Sequence, residues 1–313
     1  MARRASRRST YSLEDQHLVR LWLLRILINL GRHRNFIQTR CLHHDALAET
    51  LGLGHWIDVS LNDFDQQIVL TDLRALDRRD PKQWRNAKPP ACLSLNIKRL
   101  SGLVGLSETD CRILEFAVLI QNERLLDETA DWLGHLSSVK VFHALSVILD
   151  LPEESIRAAL SANAVLARSG LVSVSRSAMQ SLRDKLDLIS DTFADLITSS
   201  DSDPVNLLRG TVSLAAPGHL DIGDYGHIRK SLDLVRLYLR HAMDTGRAGV
   251  NVYIHGAPGT GKTQLARVLA AELGCELFEV SGEDEDGHPA DGERRLRAFP
   301  TAQSFFAQRR ALI

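Results

Sequence analysis

Apolar residues recur at helical spacing in the N-terminal part of the chain. A helix is predicted over residues 13–31, and its apolar side chains are Leu18, Leu21, Trp22, Leu24, Ile28 and Leu30. They cover enough of the helix surface to predict burial in a core. Residues 38–95 contain shorter apolar runs and polar turns, which indicate short helices with a break at Pro89-Pro90.

The segment 106–176 has the clearest pattern of this part. Ser107 and Asp110 form a capping box, which predicts a helix start. The predicted helices cover about 107–121, 138–148 and 153–168, and an alternating strand follows at 171–175. Three helices and a strand resemble a winged-helix module, a type that binds DNA in many proteins and protein in many others.

Charge favours protein over DNA as the partner of this winged-helix-like segment. Its third helix offers Arg157 and Arg168 but opens with Glu153 and Glu154. Those two acids would face phosphates if the first turn of the helix entered a groove. We therefore expect a protein-interaction or structural role, with DNA binding as the less favoured alternative.

Composition shifts divide the chain into three parts. Residues 1–12 form a basic tail, with arginines at positions 3, 4, 7 and 8, that we expect to be disordered. A helical N-terminal region is predicted for residues 13–205, and its last helix covers about 178–198. The polar stretch 199–204 predicts a hinge, and residues 206–313 form the next domain.

The C-terminal part carries the pattern with the most chemistry. An apolar strand is predicted at Val250–Ile254, and it leads into Gly256-Ala257-Pro258-Gly259-Thr260-Gly261-Lys262-Thr263. This is the G-x-x-x-x-G-K-T spacing of a loop that binds a nucleoside triphosphate. The glycines let backbone N–H groups approach phosphate oxygens, since they carry no Cβ.

Two side chains and a helix complete this predicted phosphate site. Lys262 is positioned to reach the β and γ phosphates, and the Thr263 hydroxyl to bind Mg²⁺. A helix predicted at about 261–273 directs its positive N-terminal end at the same phosphates. Its predicted buried positions are Leu265, Ala266, Leu269, Ala270 and Leu273, and Gly274 is placed to end it.

The loop resembles that of the AAA+ ATPases, whose usual form is G-P-P-G-T-G-K-T, with Ala257 as the departure. The resemblance extends over about residues 215–313. It implies adenine contacts from Ile222 and Gly223 in the segment Asp221–Tyr225, and nucleotide contacts from the loop through Gln264. It also implies an amphipathic helix with apolar residues at Ile228, Leu232, Val235, Leu239 and Ala242, a second strand at 276–280 and a helix from Gly292.

The resemblance implies an α/β P-loop NTPase, an incomplete AAA+ module preceded by a mainly α-helical N-terminal region. A Walker B strand ending in Asp-Glu, a sensor residue and an arginine finger are expected in this family, and none lies in the chain, so the catalytic residues stay unknown. Residues 310–313 resemble the start of the Walker B strand. We therefore expect a partial sequence that does not hydrolyse ATP by itself. Val147–Asp150 resembles a Walker B strand, but it precedes the glycine-rich loop and has no Glu after its Asp. It is therefore interpreted as a helix end.

Composition narrows the class of protein. A length of 313 residues suits about two domains, and a net charge of −1 gives no overall bias toward nucleic acid or acidic membranes. The four cysteines lack C-x-x-C spacing, which is typical of the reducing cytoplasm. Arg20 and Arg25 interrupt the apolar stretch 18–30, which argues against a membrane-spanning helix.

Our leading hypothesis is an ATPase that remodels a protein partner. The resemblance implies ATP and Mg²⁺ as ligands and a homo-oligomeric ring for the complete protein. One alternative is an ATP-dependent, DNA-associated factor that uses the winged-helix-like segment. Another is an ATP-sensing regulatory switch.

Overall fold

The computed structural model describes residues 16–78, 87–176, 179–199, 204–208, 211–247, 249–283, 292–307 and 309–313. The chain forms two compact units, Met1–Leu207 and Leu208–Ile313. The predicted basic tail, 1–12, and most of the predicted hinge lie outside the described residues. The first unit is almost entirely helical, and the second combines helices with a small sheet.

The N-terminal unit consists of short helices and one small two-stranded sheet. In chain order these are α1 Gln16–Ile28, α2 His33–Phe36, α3 Asp45–Leu51, a 3₁₀ helix Gly54–Trp56, α4 Gln66–Arg78, α5 Ala91–Val104, α6 Glu108–Asn122, α7 Arg124–Asp131, α8 Ser138–Leu149, α9 Glu153–Ala159, α10 Val165–Arg168, β1 Val172–Val174, α11 Leu182–Lys185, β2 Leu186–Leu188, α12 Asp191–Ser199 and α13 Pro204–Leu207.

Helix α1 is a core helix, as its sequence predicts. Leu23, Leu24, Ile26 and Leu27 are fully buried, and Trp22 meets the ring of Phe116 edge-on at a centroid distance of 5.1 Å. Such an aromatic pair adds about 0.5–1.5 kcal/mol to the gain from burial alone. Throughout the described ranges, no helix combines the length and the apolar character needed to cross a membrane.

The C-terminal end of α8 is held by two arginines. Arg25 Nη1 donates to the carbonyl of Ile148 at 2.7 Å, and Arg112 Nη2 donates to that of Leu149 at 2.6 Å. Asp150 follows with φ +55°, a left-handed residue that stops the helix. The interpretation of Val147–Asp150 as a helix end is therefore confirmed.

The winged-helix-like interpretation of 106–176 is not confirmed. Its first helix and the capping box of Ser107 and Asp110 form as predicted. Helix α7, which the sequence pattern did not reveal, then comes before α8. The predicted third helix is wrong as a continuous element, because it ends at Ala159 and resumes only at Val165. Ser161 and Asn163 lie in the gap, and their short polar side chains favour turns over helix interiors.

The predicted helix over 178–198 is also wrong. Ser181 accepts a hydrogen bond from the N–H of Asp184 and starts the four-residue α11. The chain then enters β2, which pairs antiparallel with β1 with Val172 opposite Leu188. The Ser190 hydroxyl accepts from the N–H of Phe193 at the start of α12. Two serine caps and a strand pairing thus divide a segment that looks helical when read locally.

The C-terminal unit contains a three-stranded sheet and three α-helices among its described residues. These are β3 Val212–Leu214, a 3₁₀ segment Ile222–Ile228, α14 Arg229–Asp244, α15 Lys262–Leu273, β4 Glu276–Val280, α16 Gly292–Phe306 and β5 Ala311–Leu312. The strand order is β3-β4-β5, with β3 antiparallel and β5 parallel to β4. The predicted second strand, the helix from Gly292 and the strand start near Ala311 are confirmed.

The prediction of a strand at Val250–Ile254 is wrong. Its backbone pairs with no strand among the described residues, and the segment contains no regular element. Val252 is 41% exposed and Tyr253 88% exposed, whereas a strand inside a parallel sheet is covered on both faces. The apolar pattern alone predicted a strand, but a strand also needs a neighbour to complete its hydrogen bonds.

Candidate functional site

The glycine-rich loop closes directly onto the first residue of α15. Gly256, Gly259 and Gly261 all have positive φ, of +153°, +79° and +80°. Helix α15 begins at Lys262, and no side chain caps its N-terminus. The first N–H groups of a helix have no partner within the helix, so this turn offers donors to an anion.

The Lys262 side chain folds back over the loop. Its Nζ donates to the carbonyl of Gly256 at 3.0 Å and to that of Ala257 at 2.8 Å. The Thr260 hydroxyl also donates to the Ala257 carbonyl, at 2.8 Å. The positive charge of Lys262 is therefore held above the backbone of the same loop whose glycines leave room for phosphate.

The remaining loop positions are open to solvent. Pro258 and Thr263 are exposed, and the Thr263 hydroxyl lies on the first turn of α15 beside Lys262. A hydroxyl oxygen is a ligand type that Mg²⁺ accepts. Gln264 faces a different segment, because its Oε1 accepts a hydrogen bond from the N–H of His219 at 2.9 Å.

Tyr225 connects the loop to the preceding 3₁₀ segment, a role that the sequence pattern did not reveal. Its hydroxyl donates to the Gly261 carbonyl at 3.0 Å, and its ring is buried. Burial raises the pKa of this hydroxyl, and Asp224 adds to the rise, so the group stays a donor near neutral pH. The apolar cluster around this ring consists of Tyr225, Leu232, Leu265, Val268 and Leu269, with Ile222, Ile228, Val235 and Ile254 packed against it.

Gly261 is a position in the loop where a side chain would be strained. Its φ is +80°, and a Cβ there would lie 3.3 Å from the Tyr225 hydroxyl oxygen. We expect Gly261→Ala to lower the free energy of local unfolding of α15 by about 1–2 kcal/mol, which is the cost of a non-glycine residue in the left-handed conformation. Hydrogen exchange of the α15 amides measures this change.

Gly226→Ala is the matched control for that substitution. Gly226 lies in the neighbouring 3₁₀ segment, and a Cβ there would meet no atom within 4 Å. Protection of the α15 amides should therefore stay at its wild-type level in this variant. Equal exchange in the two alanine variants would contradict the role assigned to Gly261.

The predicted adenine segment is a capped 3₁₀ turn. Asp221 and Asp224 form a capping box, in which the Asp221 N–H donates to Asp224 Oδ2 at 2.9 Å. The Gly223 N–H donates to Asp221 Oδ1 at 2.7 Å, so it is already engaged within the turn. Ile222 is half-buried and packs on the cluster around Tyr225. The apolar surface of Ile222, rather than the N–H of Gly223, is thus the part suited to a base.

Two arginine–carboxylate pairs fix α15 on its neighbours. Arg267 binds Glu279 of β4 through two hydrogen bonds of 3.0 and 3.2 Å. Arg236 of α14 contacts Glu272 near the end of α15. The predicted buried positions of α15 are confirmed for the leucines and Ala270, whereas Ala266 is half-buried and Val268 is buried in its place. The loop thus stands on a helix that is held from two sides.

Comparison with known proteins agrees with this geometry. The family model "ATPase family associated with various cellular activities (AAA)" matches residues 252–308, from the segment before the loop to α16. No solved structure gives a significant match.

Curated relatives also match part of the chain. The mouse ATPase family gene 2 protein homolog B is 35% identical over 104 residues, which cover 31% of this chain and 14% of the relative. The Holliday junction branch migration complex subunit RuvB of Nitratidesulfovibrio vulgaris is 46% identical over 48 residues, 15% of each chain. The ATP-dependent zinc metalloprotease FtsH 2 of Symbiobacterium thermophilum is 34% identical over 85 residues, 24% of this chain and 14% of the relative.

The chain thus spans less than a fifth of the length of each of these three relatives. The family model and all three relatives nevertheless agree on one assignment, and the loop and helix that carry its sequence pattern have the geometry described above. Residues 252–308 of the chain thus match the AAA family of ATPases.

Proposed function

We propose that the loop Gly256–Thr263 and the adjoining Gln264 bind ATP, and that in the complete protein ATP hydrolysis drives the remodelling of a protein partner. The observation that carries the proposal is the uncapped start of α15 directly behind a glycine loop with Lys262 folded across it. Backbone donors, the helix dipole and one side-chain cation all favour the same anion there.

The residues of the loop divide the work of holding the triphosphate. Lys262 would exchange its two carbonyl contacts for oxygens of the β and γ phosphates. The Thr263 hydroxyl would bind Mg²⁺, which neutralises charge on those phosphates when bound. Ile222 would support the adenine, and Tyr225 keeps the Gly261 carbonyl directed away from the phosphates by donating to it. Each of these roles needs only side chains that lie at or beside the loop.

A protein partner fits the N-terminal unit better than DNA does. Arg157, a cation of the predicted recognition helix, binds Glu153 at 2.9 Å, and its guanidinium lies 5.1 Å from the centre of the Phe142 ring. Helix α9 is only seven residues long and begins with two acids. A helix that reads DNA directs free hydrogen-bond donors into a groove. In α9 the first turn carries two carboxylates, and the arginine is already bound to one of them, so the helix is poorly suited to that role.

We propose an oligomeric assembly from the family resemblance and a cytoplasmic location from the cysteines. AAA+ ATPases typically assemble into oligomers, and we propose a homo-oligomeric ring in which a neighbouring subunit completes the catalytic site. Cys41, Cys92, Cys111 and Cys275 are all free thiols, which suits the reducing cytoplasm.

Titration with a fluorescent ATP analogue tests the proposal. We expect saturable binding that Mg²⁺ strengthens about tenfold, which corresponds to about 1.4 kcal/mol. Thr263→Val should abolish this strengthening, because it removes the hydroxyl at nearly constant volume. Thr263→Ser keeps the hydroxyl and should retain the Mg²⁺ effect. The proposal fails if a folded chain shows no saturable binding with or without Mg²⁺.

A further inference from the structure

Helix α14 has a second apolar face in addition to the one that packs on α15. Leu232, Leu239 and Ala242 are buried on the inner side. Leu234 and Leu237, on the opposite side, are 70% and 66% exposed, and Tyr238 beside them is 43% exposed. A helix of a globular protein normally directs polar residues to its outer side. These exposed leucines therefore form an apolar patch of the kind that marks an interaction surface.

The outer face follows the three- and four-residue steps of a coiled-coil seam, with apolar residues at its two central positions. Its residues are Lys230, Leu234, Leu237, His241 and Asp244, separated by four, three, four and three positions. All five are exposed, and the three residues other than the leucines are polar. Steps of three and four residues keep one line of side chains facing a partner helix. We propose that this line, the α14 seam, pairs with the α14 seam of a second copy of the chain in an antiparallel, two-fold arrangement.

Charge decides the orientation of the two helices. A parallel pair would place Lys230 against Lys230, which is a like-charge contact. It would also place Asp244 against Asp244, but Arg310 of the same chain lies 3.2 Å from each Asp244 carboxylate, so the lysine contact decides. In the antiparallel pair, Leu234 of each copy faces Leu237 of the other, so the apolar layers form at the centre. The layers on either side bring Lys230 of one copy to His241 of the second copy, which avoids the Lys–Lys contact.

The residues that flank the seam strengthen the antiparallel choice. Asp233 and Arg240 lie on the same edge of the seam, one heptad apart, and both are exposed. Antiparallel helices bring this edge of one copy beside the same edge of the other. Asp233 of each copy then lies near Arg240 of the second copy, twice per dimer. The Asp233 carboxylate also lies 3.5 Å from Arg236 of its own helix, but its side chain is 54% exposed and has acceptor positions to spare.

The resulting contact is small. Helix α14 has 16 residues and is about 24 Å long, so the dimer belongs to the weak end of protein interfaces. A two-fold contact closes after two chains and uses the same face on both. It is thus distinct from the head-to-tail contacts of the proposed ring, and it does not depend on nucleotide.

Sedimentation velocity of the 313-residue chain without nucleotide tests the pairing. From about 5 to about 200 µM, the range for a weak interface, we expect the weight-average mass to rise toward that of two chains and no further. Leu237→Asp places two carboxylates in the central layers and should return the chain to a monomer. Leu296→Asp is the control, because Leu296 is 77% exposed on another helix, and it should still dimerise.

A charge exchange tests the orientation independently of the leucines. Asp233→Arg and Arg240→Asp should each weaken the dimer at least threefold, and the double variant Asp233→Arg/Arg240→Asp should recover most of the loss. A chain that stays monomeric at about 200 µM overturns the proposal, as does a dimer that tolerates Leu237→Asp. A double variant weaker than both single variants overturns the antiparallel pairing.

Discussion

Replacing Lys262 with alanine should lower the affinity for ATP about 100-fold, which corresponds to about 2.7 kcal/mol. A unit charge pair about 4 Å apart in a partly screened site is worth roughly 4 kcal/mol, and desolvation of the ammonium removes part of that. The lysine is half-buried, and its Nζ is already held at the loop by the Gly256 and Ala257 carbonyls. Little side-chain entropy is therefore lost when phosphate binds. Isothermal titration calorimetry with ATP and Mg²⁺ measures the difference.

Lys230→Ala is the matched control for this prediction. Lys230 lies exposed on α14 of the same unit, so the variant removes the same charge away from the loop. Its affinity for ATP should stay within about twofold of wild type, since a screened surface charge contributes little. If Lys262→Ala, with a native circular dichroism spectrum, binds ATP as tightly as Lys230→Ala does, the assignment of Lys262 to the phosphates is wrong.

Local patterns and the family resemblance together predicted most of the nucleotide segment correctly. The limits of α15 and the capping box at Ser107 follow from residues within one turn of each other, whereas the resemblance implied β4 and the start of α16. Gly274 ends α15 with φ +61°, as a glycine at that position predicts. The limits of α15 and the capping box are decided by residues that are neighbours in the sequence, so a single sequence carries the information.

Features that depend on distant residues could not be predicted in the same way. The hydrogen bond between Tyr225 and Gly261 joins positions 36 residues apart, and nothing in the spacing of either motif indicates it. The pairing of β1 with β2 likewise depends on which segment meets which. The segment Val250–Ile254 has strand composition, but its pairing is a property of its neighbours rather than of its own residues.

The N-terminal unit offers a test of burial that is independent of nucleotide. Burial in α6 raises the pKa of the Glu115 carboxyl to about 7, and Arg112 only partly offsets the rise. Burial also raises the pKa of Glu123, at the end of the same helix, to about 6. In the unfolded chain both groups titrate near pH 4.5. The folded unit therefore favours the protonated forms. The contribution of these two groups to the free energy of unfolding is thus largest below pH 4.5.

The free energy of unfolding of this unit should fall as pH rises from about 4.5 through 7. Ionisation of Glu115 in its folded environment accounts for up to about 3 kcal/mol of the fall, and Glu123 adds a smaller loss at lower pH. Glu115→Gln cannot ionise. We therefore expect it to be more stable than wild type by about 2–3 kcal/mol at pH 8 and about equal to wild type at pH 4, with a flatter profile between.

Urea unfolding followed by tryptophan fluorescence measures this profile for the N-terminal unit alone. All four tryptophans, at positions 22, 56, 84 and 132, precede residue 208, and Trp22 packs on Phe116 beside Glu115. Glu108→Gln removes an exposed carboxylate from the same helix and should leave the slope between pH 5 and 8 unchanged. A Glu115→Gln chain that loses stability with pH as steeply as wild type would show that this carboxylate is well solvated in the folded state.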